Sequence, residues 1–128
     1  MPVSLEPLGK PQDIRERALL FAVQVVKMCQ LLVEKPGAGR ILGSQLLRAG
    51  TSIGANVEEA QARQSRADFI HKNGIALKEA RETVYWLRLL VASSLVSELQ
   101  SADIRKEAEE LTRILGAIIV SSKKNVHE

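Results

Sequence analysis

Apolar residues recur along this chain at alternating intervals of four and three, the signature of helices that bury one face. Ile14, Ala18, Phe21, Val25, Met28 and Leu32 keep that interval and predict a first helix over about 11–34, with Pro11 in its first turn. Leu19, Val23 and Val26 draw a second apolar line on it. A lone bundle would leave part of that line in water, which makes these three residues candidate contacts with another subunit. Lys35-Pro36-Gly37-Ala38-Gly39 breaks the pattern. A second helix follows over about 40–63, its core line being Leu42, Leu46, Ala49, Ile53, Val57 and Ala60. Ser65 and Asp68 form a capping box with Asp in place of Glu and open a third helix over about 66–93. In it Ile70, Leu77, Val84 and Val91 repeat every seven residues, with Ala80 and Leu87 interleaved, as in coiled-coil packing. Ser101 is placed to cap a fourth helix over about 102–122, lined by Ile104, Ala108, Leu111, Leu115 and Ile118. Strand patterns and repeats are lacking. Four long helices with short connections imply an all-α, antiparallel up-down-up-down four-helix bundle over 11–124, preceded by a flexible tail at 1–10.

The second helix carries an interruption. In Leu46-Leu47-Arg48-Ala49-Gly50-Thr51-Ser52-Ile53-Gly54-Ala55-Asn56-Val57-Glu58-Glu59, two glycines stand four apart, with Ser52 and Asn56 beside the apolar line. Each interior Gly costs roughly 1 kcal/mol against Ala in a helix. Close approach of a neighbouring backbone is the simplest compensation.

Composition narrows the class. The 128 residues suit one domain, and 45% hydrophobic with 26% charged residues describe a globular chain. Aromatic residues make up only 3%, so aliphatic side chains must fill the core. The longest apolar run, Ala18 to Val23, is far below the roughly 20 residues of a membrane span, and no signal-peptide pattern opens the chain, so a cytoplasmic protein is expected. Cys29 is the single cysteine, which excludes an intrachain disulfide and a cysteine-based metal cluster; its place on the apolar line makes it a buried thiol. A net charge of +3 permits nucleic acid as a partner without demanding it.

The Leu46–Glu59 segment, followed by Asp68-Phe69-Ile70 and by Ala76-Leu77-Lys78-Glu79-Ala80-Arg81-Glu82, resembles the four-helix bundle family of 23S rRNA intervening-sequence proteins, over about Leu19 to Val120. That family usually has Arg-Arg where this chain has Leu47-Arg48, Pro at Gly54 and Gly at Ala60. The resemblance implies a homopentameric ring of bundles. It also implies kinship with the accessory protein of diversity-generating retroelements, a basic pentamer that works with a reverse transcriptase and nucleic acid. The family name records where the genes were noticed, not an activity.

If the second and third helices form a hairpin turning near 64, positions summing to about 129 face each other. Arg48 then lies level with Glu82, Asn56 with Asn73, and Glu58 and Glu59 near His71 and Lys72. Arg48, Ser52, Asn56, Glu59, Glu79 and Glu82 thus form an expected interhelical polar network, either a shared site or a device that fixes register. Asp68 and His71 supply only half of the paired carboxylate and histidine motif of di-iron bundles, so a capping Asp68 and an exposed His71 are expected, with no metal, cofactor or catalytic set. Gly37-Ala38-Gly39 lacks the Lys-Ser/Thr ending of a phosphate loop. Tyr85 and Trp86, about 100 degrees apart on their helix, are further candidates for the oligomer interface.

An up-down-up-down bundle gathers Lys10, Arg15, Arg17, Arg63, Arg66, Lys72, Lys123 and Lys124 at one pole, against Asp13, Glu16, Glu58, Glu59 and Asp68. A ring of five would display that excess five times. The expectation is a non-catalytic oligomer that engages RNA or DNA through this pole or the ring's channel, with Arg15, Arg17, Arg63, Arg66, Lys72, Lys123 and Lys124 as candidate phosphate contacts. The alternative is a protein adaptor or scaffold without nucleic-acid contact.

Overall fold

In the computed structural model, which describes residues 13–126, the chain forms α1 (Ile14–Leu32), α2 (Ala38–Gln61), α3 (Arg66–Ala92) and α4 (Glu98–Val126). Each helix packs on its sequence neighbours, and α1 meets α4 to close an antiparallel four-helix bundle. No strand occurs among the described residues. The expected tail at 1–10 and the helical start at Pro11 lie outside them.

Local chemistry sets the ends. Asp13 caps α1, its carboxylate accepting the Arg15 N–H at 2.8 Å and so satisfying one of the donors a helix start leaves over. Ser65 caps α3 as expected, its Oγ accepting from Asp68 N–H at 3.1 Å. The fourth helix begins earlier than expected. Ser97 Oγ accepts from Gln100 N–H at 3.0 Å while Gln100 Oε1 accepts from Ser97 N–H at 2.9 Å, a reciprocal capping box four residues upstream of Ser101. Ser101 is instead fully buried and its hydroxyl donates to Glu98 O.

The turn from α3 to α4 is a Schellman motif. Leu95 N–H donates to Leu90 O at 3.0 Å and Ser94 N–H to Val91 O at 3.0 Å, which places Ser94 in the left-handed region at φ 64°. Glycine ordinarily takes that position, so the helix end carried no glycine signal.

Along α1, Ala18, Phe21, Val25, Met28 and Leu32 are buried; along α4, Ile104, Ala108, Leu111 and Leu115. Both lines match the apolar intervals. On α3 the buried seam differs from the heptad. It runs Asn73, Ala76, Ala80, Thr83, Leu87 and Leu90, while Ile70, Leu77, Val84 and Val91 sit half-buried on its flanks. Two of the seam residues are polar, and an apolar pattern passes over them. Their donors are met within the helix: Asn73 Nδ2 donates to Phe69 O at 3.0 Å and Thr83 Oγ1 to Glu79 O at 2.7 Å, which spares the bundle an unpaired buried group.

The glycines of α2 do admit a neighbour, chiefly at Gly50. A methyl there would lie 2.7 Å from Val25 Cγ2, and at Gly43 3.1 Å from Leu32 Cβ. At Gly54 the nearest atoms of Ala18 would stand 3.6 Å off, an ordinary contact, so of the pair singled out by spacing only Gly50 is under steric demand. Around a methyl at Gly74, nothing lies within 4 Å.

These distances set opposite signs for two substitutions. Gly50→Ala should lower unfolding free energy by about 1–3 kcal/mol through overpacking against Val25. Gly74→Ala should raise it by up to about 1 kcal/mol through helix propensity. Urea unfolding of the two variants beside the parent chain checks both, and equal effects would mean that α1 does not seat on Gly50.

Candidate nucleic-acid interface

The α2–α3 hairpin turns at 62–65, and its facing positions sum to about 129, as expected from a turn near 64. Arg48 stands at the middle of this seam. Its guanidinium donates to Glu79 Oε2 at 3.2 Å and to Glu82 Oε2, and Trp86 Nε1 donates to the same Glu82 oxygen at 3.1 Å. Arg48 remains 49% exposed while the Glu79 side chain keeps only 13% of its surface in water, so the pairing fixes register and answers a carboxylate that is largely out of water. Glu59 pairs with Lys72 at 3.2 Å, one hairpin end away. Ser52 and Asn56 depart from the expected network. Ser52 Oγ donates to Arg48 O and Asn56 Nδ2 to Ser52 O, each bonding one turn back on its own helix, because short polar side chains reach their own backbone more easily than another helix.

Ion pairing also thins the basic pole. Arg15 is held by Asp13 at 2.9 Å, and this contact lowers the Asp13 carboxyl below the usual carboxylate range. Arg17 makes a two-point contact with Glu107 of α4, at 2.7 and 3.0 Å, half out of water, which raises the guanidinium further still. Lys72 is taken by Glu59. Arg15, Arg17 and Lys72 therefore pair with the bundle's own carboxylates; Lys10 lies outside the described residues. Arg63, Arg66, Lys123 and Lys124 are exposed and have no carboxylate partner among the described residues.

Two of these four cations share a recess. Arg63 and Arg66 line a cleft of about 510 Å³ at the α2–α3 turn together with Gln61, Gln64, Ser65, Phe69 and Ser122, the last from the end of α4 that also carries Lys123 and Lys124. The Arg63 guanidinium carbon lies 4.9 Å from the Phe69 ring centroid, a cation–π contact. Sequence reading placed the cations but missed Phe69, Gln61, Gln64 and Ser122. The available signal was an aromatic six residues beyond an arginine across a turn.

Among the interface candidates, Leu19 is 63% exposed and Val26 41%, with Val23 half-buried. Tyr85 is 56% exposed and meets Trp86 edge to face at 5.2 Å; Trp86 itself packs against the core and is tied to Glu82. Ile41 and Leu47 of α2 are also exposed apolar residues.

The fold and these signature residues agree with what comparison shows. The sequence pattern of the 23S rRNA-intervening sequence protein family matches residues 10–117, and the chain belongs to that family. A solved structure similar to it is that of a protein of unknown function from the S23 ribosomal protein family of Bacteroides thetaiotaomicron, at 44% identity and a TM-score of 0.79, covering 84% of this chain and 98% of that one. No match is found among curated proteins.

No cluster of three His, Cys, Asp or Glu side chains able to hold a metal ion occurs among the described residues, and His71 is exposed. No described helix is long and apolar enough to cross a membrane. Cys29 is half-buried between α1 and α2, its Sγ 3.3 Å from Gly43 O, and burial pushes the thiol up to about 11. A thiol whose value is raised on folding, from an ordinary one near about 8.5, stabilises the fold fully below that ordinary value. The contribution fades as pH rises through about 11. Unfolding free energy measured from pH 7 to 11 should thus fall more steeply at the alkaline end for the parent than for Cys29→Ala, and parallel curves would exclude the shift.

Proposed function

We propose that this protein is a non-catalytic, self-associating four-helix bundle of the cytoplasm that binds RNA or DNA through the end bearing the α2–α3 turn and the end of α4. The observation that carries the reading is the sorting of charge at that end. Three of its cations pair with carboxylates, whereas Arg63, Arg66, Lys123 and Lys124 have no carboxylate partner among the described residues, and Arg63 and Arg66 line one cleft. Surface cations with no partner are what a phosphate backbone can use, because binding then breaks no ion pair and releases condensed counterions. Four charges are modest for one chain. Association of several copies would sum them on one assembly, and the exposed line of Leu19 and Val26 on α1, with Tyr85 on α3, supplies apolar surface for it.

Two measurements bear on this. Fluorescence anisotropy with labelled oligonucleotides should show affinity falling steeply from 50 to 200 mM salt. Arg63→Ala with Arg66→Ala should weaken binding at all sequences and flatten the salt slope, while Arg40→Ala at the opposite end leaves both unchanged. Absence of binding at low salt would remove the nucleic-acid reading and favour the adaptor, to be sought by pull-down after nuclease treatment. The mass in solution should be a multiple of 14.1 kDa, five being the number the family resemblance implies, and a monomer would remove self-association.

A further inference from the structure

Phosphate contact alone needs only cations on an open surface. The cleft at the α2–α3 turn holds more than that. It is a half-open, polar-lined depression of about 510 Å³. Its wall carries a planar guanidinium resting on an aromatic ring, Arg63 on Phe69 at 4.9 Å, and around this pair stand the amides of Gln61 and Gln64 and the hydroxyl of Ser122. The Ser65 hydroxyl is already taken by Asp68 N–H, so the first turn of α3 is capped from within and the recess depends on its side chains.

Paired bases in a duplex are stacked on both faces and cannot enter such a recess. An unpaired base can, because its faces are open to an aromatic ring or an Arg plane and its edge to amide donors and acceptors. Resting on the nucleic-acid reading above, we infer that the cleft receives one unpaired nucleotide of a single strand. Its base stacks on the Arg63–Phe69 pair, Gln61 and Gln64 meet the base edge, and Arg66, with Lys123 and Lys124 beyond Ser122, takes the flanking phosphates. The bundle therefore prefers single strands to duplexes of the same length, and part of its affinity is insensitive to salt.

The test compares a 12-nucleotide RNA strand without self-pairing, the DNA strand of the same sequence, and the duplex of each. Phe69→Leu, which keeps apolar volume but removes the ring, should weaken single-strand binding about tenfold with an unchanged salt slope and leave duplex binding alone. Phe69→Tyr should restore single-strand binding. Arg66→Ala should instead lower the salt slope. The RNA and DNA arms separate the two sources of an unpaired nucleotide; loss in either supports the inference, and loss in neither overturns it. Because Phe69→Leu can disturb the turn, a strand carrying 5-iodouracil is also photocrosslinked to the parent protein. A crosslink mapping to Phe69 is expected, and crosslinks only elsewhere overturn the inference. Equal binding of strand and duplex, both salt-sensitive, would sink the base pocket while leaving the nucleic-acid reading in place; no binding at low salt would remove both.

Discussion

The seating of α1 on α2 at Gly50 and Gly43 is the constraint on which the bundle turns. With so few aromatic residues, the core is built from aliphatic side chains of limited reach, and the helices must lie close for those chains to touch. Val25 and Leu32 occupy the space that side chains at Gly50 and Gly43 would fill. Interiors packed at crystal-like density do not tolerate even one added methyl where a neighbour already sits. The helix propensity lost at these glycines is offset by the contacts they admit. This seating turns Leu19 and Val26 outward, so the same constraint that closes the core leaves an apolar line on the surface.

Charge is arranged by the same geometry. Once α2 and α3 are antiparallel and in register, Arg48 falls between Glu79 and Glu82, and Lys72 opposite Glu59. Once α1 lies against α4, Arg17 finds Glu107, ninety residues away in the chain. Each pair is a local contact, from the exposed Glu59 to the largely buried Arg17 and Glu79. Their collective effect is selection: pairing engages three cations of the basic end and leaves four without a carboxylate partner among the described residues, two of them lining a cleft.

Periodicity alone revealed the four helices, their order and the buried lines of α1 and α4, because an apolar stripe at intervals of three and four has one way to leave water. It also placed Arg48 opposite Glu82, since hairpin register follows from turn position. The α3 seam was less legible. Asn73 and Thr83 lie in the core with their donors turned onto Phe69 O and Glu79 O, and a pattern read from apolar residues shifts to Ile70, Leu77, Val84 and Val91 instead. The start of α4 was placed at Ser101, which is buried and donates to Glu98 O, whereas Ser97 and Gln100 form the reciprocal cap.

The sequence by itself determined an all-α bundle, its hairpin register and the family to which its signature residues point, because these depend on the spacing of residues near one another in the chain. Tertiary structure alone decided which glycine touches a neighbour, which arginines are consumed by distant carboxylates, and that Phe69, Gln61, Gln64 and Ser122 share a recess with Arg63 and Arg66. Those facts depend on distances between residues far apart in sequence. Spacing along one helix carries no information about them until the helices are packed.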